Sequence, residues 1–440
     1  MKEVLNQVAD WLVGKKSECV ISQKNIQKRF ENPKPSFSDQ WAVVDFCDEH
    51  HVFLLNDGIS IGSGFELISI PTEAASVTHL ESVFNKIRDT FAAVVPLHKE
   101  DPWIMQMYVN DEYQLKPVLH HIEKSIEPEI ANTAFTKEYL SRLDDLFTKM
   151  TKPKGLFIDP KTDAPYRGRR RRVRVLFYRL YQQTQATREE AVVEHQEVMI
   201  QIENKLKSPG LQLKKLKGKD YYSWWVRWFN PNPEYITQFS YPNKKPAGFS
   251  LSQAVLFNEP QSNEQGFVFD GYHQRILYID GLREAPEIGL LSREKPQANP
   301  KHRYALLDKL PEGATYTMQV IFSNDEALDA HLMRLEKGIV GTSLKPQQVR
   351  DDIKRARDEL SMGNRLFWVN QAIFYHAKTN EEAIQIEKEL KELFIDAKMP
   401  LIPSCYDLHP LNSYLNALPF NFIPHYARQY LRFDRLMYAS

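Results

Sequence analysis

The stretch from Arg365 to Phe422 limits the fold more than any other part of this chain, because it carries strand, helix and strand within one crossover. Thr379 and Glu382 form a capping box: the Thr hydroxyl accepts from the amide at the third helical position and the carboxylate reaches back. Ala383, Ile386, Leu390, Leu393, Phe394 and Ala397 then recur at three- and four-residue steps, giving one apolar stripe that needs a sheet to cover it. Leu366 to Tyr375 and Leu401 to Tyr406 supply the strands. A helix of about five turns is long enough to return the chain for parallel pairing of the two. Pro419 closes the unit.

The same grammar recurs upstream. Phe65 to Ile70, a helix with Leu80, Val83, Phe84, Ile87 and Phe91, and Trp103 to Val109 make one β-α-β passage. The run RRVRVLFYRLY, a helix capped by Thr187 with Glu190, and LQLKKL make a second. Between them a helix spans Thr136 to Met150. WAVVDF and HVFLL read as two strands at a sheet edge. Later, Tyr316, Met318, Val320 and Phe322 alternate as a strand, Ser323 with Glu326 caps a helix to Lys337, and another helix runs from Pro346 to Leu360.

These elements predict an α+β protein of two lobes built from repeated β-α-β units, ferredoxin-like or split. At 440 residues the chain is too long for one ordinary core. The expected layout is an N-terminal helix and linker over 1–36 and a first lobe with a basic segment over 37–230. An irregular crossing with the short strands GFVFDG and RILYIDGL follows over 231–313, then a second lobe over 314–424 and an exit over 425–440.

Hydrophobic residues at 42% and charged residues at 26% exclude a disordered or membrane-embedded chain. The longest apolar run, Phe91 to Leu97, is far short of the ~20 residues a membrane helix needs. Cys19, Cys47 and Cys405 are scattered without a CxxC pair, as expected of a reducing cytoplasm. Net charge is zero, yet residues 152–219 hold 17 Lys/Arg against 7 Asp/Glu, which concentrates the positive charge in one region.

The run DELSMGNRLFWVNQAIFYHAKTNEEAIQIEKELKELFIDA, with NALPFNF and RFDRLMYAS after it, resembles the segment ahead of the motor domain in TraC-like conjugative transfer ATPases of type IV secretion systems. GFELISIPTEAASVTHLE, DPWIMQMYVNDE and PYRGRRRRVRVLFYRLY are similar to the amino-terminal half of the same family. The resemblance implies a non-catalytic docking region acting peripherally at the cytoplasmic side of the bacterial inner membrane. Its implied partners are copies of itself and inner-membrane secretion proteins. ATP and Mg are expected only with a motor domain beyond Ser440, and no cofactor within these residues.

A phosphate loop needs glycines whose amides cradle phosphate, then Lys and a hydroxyl. The nearest match, Gly218-Lys219, has Leu213 and Asp220 at the glycine and hydroxyl positions. Cys47, His50 and His51, and separately His120 and His121, lack the second ligand pair that zinc requires, so no metal is expected. The aromatics Tyr221, Trp224, Trp225 and Trp228 share one helical face, which reads as core. Arg167, Arg169, Arg170, Arg171, Arg172 and Arg174 form the strongest charge run and the candidate site for an anionic partner. An acidic protein, an anionic lipid surface and single-stranded DNA all fit that chemistry, as does a charged strand paired within the fold. The zero net charge disfavours DNA, and a stand-alone nucleic-acid-binding module is the alternative function.

Overall fold

The computed structural model describes residues 36–68, 75–98, 100–113, 115–152, 156–158, 165–181, 184, 186–208, 210–231, 241–242, 245, 249–281, 291–292, 295–296, 303–341, 343–363, 365–422 and 436–438. The chain divides into two compact units, 1–40 and 41–440. In the first, a 3-10 turn at Ser38–Gln40 is held by the Asp39 carboxylate, which accepts from the Ser36 amide at 2.9 Å. The helix expected within 1–36 lies outside the described residues, as does most of 425–440.

The second unit opens with the antiparallel hairpin β1 (Val43–Cys47) and β2 (Val52–Leu55). Next come β3 (Ile61–Ile68), α1 (Val77–Val94) and β4 (Trp103–Glu112). Helices α2 (Lys116–Ser125), α3 (Pro128–Ala131) and α4 (Ala134–Thr151) and the short pair β5 (Phe157–Ile158) and β6 (Pro165–Tyr166) precede β7 (Arg170–Arg179). Then α5 (Arg188–Lys207), β8 (Gln212–Lys215), α6 (Gly218–Phe229) and α7 (Leu251–Ala254) follow. The later part holds β9 (Gln261–Asn263), β10 (Gly266–Phe269), β11 (Tyr272–Tyr278), β12 (Lys295–Pro296), β13 (Arg303–Tyr304) and β14 (Thr315–Phe322). It ends with α8 (Asp325–Gly338), α9 (Leu344–Ser361), β15 (Leu366–Ala377), α10 (Asn380–Asp396), α11 (Pro410–Asn416) and β16 (Leu436–Tyr438).

Among the described residues, twelve strands form one sheet in the order β1-β2-β3-β7-β4-β14-β15-β11-β10-β9, with β8 beside β3 and β16 beside β15. This is an α+β architecture on a large antiparallel sheet. Strands β3 and β4 run parallel but do not touch, because β7 lies antiparallel between them. The stretch 231–313 contributes β9, β10 and β11 to this sheet, and β11 pairs with β15 from Tyr278↔Ala372 to His273↔Ala377.

Three expectations need correction. Leu401 does not pair with β15: it bridges Ile279 antiparallel, so β11 intervenes between two strands that were expected to be neighbours. Nor does a strand continue to Tyr406. Pro400 and Pro403 have no amide to donate, and the Glu387 carboxylate accepts from the Ser404 amide at 3.1 Å and hydroxyl at 2.6 Å, turning 404–406 into a 3-10 turn. The cap of α8 is also shifted, since Asn324 rather than Ser323 accepts the first orphan amide, from Ala327 at 3.0 Å.

Alternation along the strands builds two cores. On one face Val175 and Phe177 of β7 meet Val198, Met199 and Ile202 of α5, while Ile373 and Tyr375 of β15 meet Ala383, Leu390 and Phe394 of α10. On the other, Tyr108 meets Trp224 and Trp225 of α6 and Tyr178 meets Phe420, with Trp225 fully buried and 5.4 Å from Trp41. Residues 417–421 lie across this second face. Gln106 donates to the carbonyls of Leu418 at 3.1 Å and Asn421 at 3.2 Å and accepts from the Phe420 amide at 2.8 Å. The hydroxyls of Tyr108 and Tyr178 donate to the carbonyls of Ala417 and Asn421 at 2.7 and 2.8 Å. Gly62 is needed here: a Cβ on it would overlap the Phe420 ring.

Candidate functional site

The arginine run enters the sheet as β7, flanked by β3 and β4. Because strand side chains alternate, the run divides between the two faces. In the register Asn110↔Arg172, Asp111↔Arg171 and Glu112↔Arg170, the acidic end of β4 lies directly opposite the arginines.

On the face of α5 and α10, Arg171 holds Asp111 with two bonds of 2.8 and 2.9 Å and reaches Asp308 at 3.0 Å. Arg169 shares the same two carboxylates, binding Asp308 and lying 3.4 Å from Asp111. Arg167 donates to Glu312 at 3.0 Å and to the Thr151 carbonyl, and lies 3.7 Å over the Tyr113 ring. On the opposite face Arg172 bonds Glu66 and, at 3.1 Å, Glu112. Arg174, with its side chain 8% exposed, donates to Asn110 at 2.8 Å and Glu112 at 3.0 Å and packs 4.5 Å over Trp224. Arg170 is the most exposed of the run, 43% at its side chain, and approaches Glu66 only to 3.7 Å.

Electrostatics follow this pairing. Burial disfavours charge on Glu112, but the positive charges and hydrogen bonds of Arg174 and Arg172 outweigh it and hold the carboxyl below its usual range. Burial acts the other way on Arg174 and pulls its guanidinium below the ordinary arginine range despite Glu112. Arg171 moves upward, since its bonds and charge interactions with Asp111 and Asp308 exceed the burial penalty.

All six arginines therefore have a carboxylate of the chain within ion-pair distance. The partners Glu66, Asp111, Glu112, Asp308 and Glu312 were not singled out from the sequence. The local signal was the Asp-Glu pair ending β4; Asp308 and Glu312 lie more than a hundred residues from β7 and gave none. The even-numbered arginines line a cleft of about 390 Å³ between the sheet and α6.

The aromatic face of α6 is placed as read: Tyr221, Trp224 and Trp225 are buried, and half-buried Trp228 donates to the Tyr414 hydroxyl at 2.8 Å. Cys47 ends β1 and His50 and His51 stand in the following turn, while His120 bonds Glu123 on exposed α2. Among the described residues, no three His, Cys, Asp or Glu side chains gather as metal ligands, and no helix is long and apolar enough to cross a membrane.

Fold and site together define a mixed α+β protein organised on one antiparallel sheet, with its basic strand held in ion pairs of its own. Comparison with curated proteins gives no match. A family profile described as TraC protein matches residues 37–422, and the chain belongs to that family, placing it among the conjugative transfer proteins of type IV secretion.

Proposed function

We propose that these residues form the assembly and docking region of a conjugative transfer ATPase, acting peripherally at the cytoplasmic side of the inner membrane. The observation that carries this reading is the family match over 37–422 in a sequence that contains no phosphate loop. Hydrolysis of ATP with Mg would belong to a motor domain outside these residues, and the partners would be inner-membrane secretion proteins and further copies of the chain.

The reading takes the sheet as two split β-α-β, ferredoxin-like units meeting where β4 pairs with β14. Strand order supports it: β8-β3-β7-β4 on one side is mirrored by Leu401-β11-β15-β14 on the other. Each side inserts helices between its fourth and third strand in that order, α2 to α4 between β4 and β7 in one case and α8 with α9 between β14 and β15 in the other. Both insertions carry exposed apolar side chains. Phe135 is 80% exposed at the start of α4, and Val340 is 89% exposed between α8 and α9. These are the surfaces the reading assigns to docking.

The test is co-expression with the inner-membrane secretion proteins, followed by membrane fractionation and sedimentation. Phe135→Asp and Val340→Asp should leave the melting temperature unchanged and reduce recovery with those proteins or the mass of the self-assembly. A chain that stays monomeric and never co-fractionates with them would overturn the reading. Single-stranded DNA binding that is tight, falls steeply with salt and needs Arg169 and Arg171 would instead favour a nucleic-acid module.

A further inference from the structure

The cleft between α6 and the sheet is lined by more positive than negative charge. Arg170, Arg172 and Arg174 of β7 project into it, joined by Lys214 of β8 and Arg227 of α6. Leaving Arg227 aside, the four cations Arg170, Arg172, Arg174 and Lys214 face only three carboxylates, Glu66, Glu112 and Asp220. One of the three is already committed, since the Asp220 carboxylate accepts from the Lys217 amide at 3.0 Å to cap α6. Three arginines that share Glu66 and Glu112 in a half-enclosed space, with Lys214 beside them, leave an excess of positive charge there, and an anionic ligand relieves its cost.

The cleft is also graded from floor to mouth. At its floor Arg172 and Arg174 are held in place by Glu66, Glu112 and Asn110. Toward the mouth, Lys214 is exposed and has no ion pair among the described residues, and Arg170 comes no nearer than 3.7 Å to Glu66. Fixed guanidinium groups inside and loosely held cations outside match a compact dianion, whose oxygens accept several N–H donors at once. A volume of about 390 Å³ admits a phosphate together with a small organic body.

We infer that this cleft binds a phosphate dianion carried on a small molecule or a lipid headgroup, a site independent of the docking surfaces on the helical insertions. Trp224 and Trp228 form its wall and make their emission a direct reporter. The experiment titrates the purified chain with inorganic pyrophosphate and with a nucleoside monophosphate at constant ionic strength, following tryptophan fluorescence and calorimetric heat. Saturable binding is expected. The double variant Arg170→Gln/Lys214→Gln, which changes only the mouth, should weaken it by about tenfold or more while the melting temperature stays put. Vesicles containing phosphatidic acid identify the source: sedimentation with vesicles, competed by pyrophosphate and lost in the double variant, assigns a headgroup, and soluble binding without it assigns a free phosphate compound. No saturation at millimolar ligand with either probe or the vesicles, or equal affinity in the double variant, overturns the inference. Loss of docking in the Phe135→Asp and Val340→Asp variants with phosphate binding intact separates this site from the assembly role.

Discussion

Replacing Gln106 by Leu tests whether the buried carboxamide, rather than apolar contact alone, fixes residues 417–421 on the sheet. Gln106 is 1% exposed and makes three bonds to that segment. Leucine is of similar size but neither donates nor accepts. The carbonyls of Leu418 and Asn421 keep other donors, from the Asn421 amide and from Tyr178 and Gln319 respectively, so each loses one bond at about 0.5–1.5 kcal/mol. The Phe420 amide is left without its partner in the interior, at about 1–3 kcal/mol. Together these give a loss of about 2–6 kcal/mol. For the unit spanning residues 41–440, unfolding entropy of roughly 0.8 kcal/mol/K converts this to a melting temperature lower by about 2–7 °C. Scanning fluorimetry measures it against Gln385→Leu, whose side chain is exposed and bonds only Glu389, and which should shift by less than about 1 °C. A Gln106→Leu protein melting within about 1 °C of the parent would refute the reasoning.

Asp111→Ala should cost about 1–3 kcal/mol in urea unfolding, below the cost of breaking a fully buried pair because the site is only partly buried and Asp308 still holds Arg171; an unchanged midpoint would mean the Asp111 pairing adds no stability. His195 is buried 5.2 Å from Trp103 in a stacked arrangement, and burial pushes its imidazole down to about 3, only partly opposed by Glu194. As pH falls from ~6.5 toward 3 the unfolded chain binds a proton that the folded chain refuses, so stability declines with acid. His195→Gln should flatten the pH dependence of the urea midpoint between pH 6.5 and 5, and an unaltered slope would exclude this histidine as its source. Gly62→Ala should lower the melting temperature by several degrees through the overlap with Phe420, and Gly62→Ala combined with Phe420→Leu should recover part of the loss.

The local elements were legible because their signals are local. Thr379 with Glu382 and Thr187 with Glu190 announced α10 and α5, and the Thr hydroxyls accept from those Glu amides at 3.2 and 3.3 Å. Alternation at Tyr316 to Phe322 marked β14. The place of Leu401 was not legible, since nothing in its own stretch says that β11, more than a hundred residues earlier, takes the position beside β15. The arginine run shows the same limit. Its charge was evident, but its partners come from β3, from β4 and from Asp308 and Glu312 ahead of β14, and only tertiary structure brings them to β7.

The β4–β14 seam also bears on how the chain is made. It joins Trp103–Asn110 to Phe322–Thr315 by eight registered pairs, so its two strands leave the ribosome about two hundred residues apart. At 5–20 residues per second that is a wait of roughly 10–40 s, during which β4 has β7 on one side and an open edge on the other. An unpaired strand rich in Trp, Ile, Met and Val is a template for any extended chain nearby. A chain halted before Thr315 therefore leaves this edge open, and a chaperone that shields Trp103–Glu112 should raise the yield of correctly closed sheets.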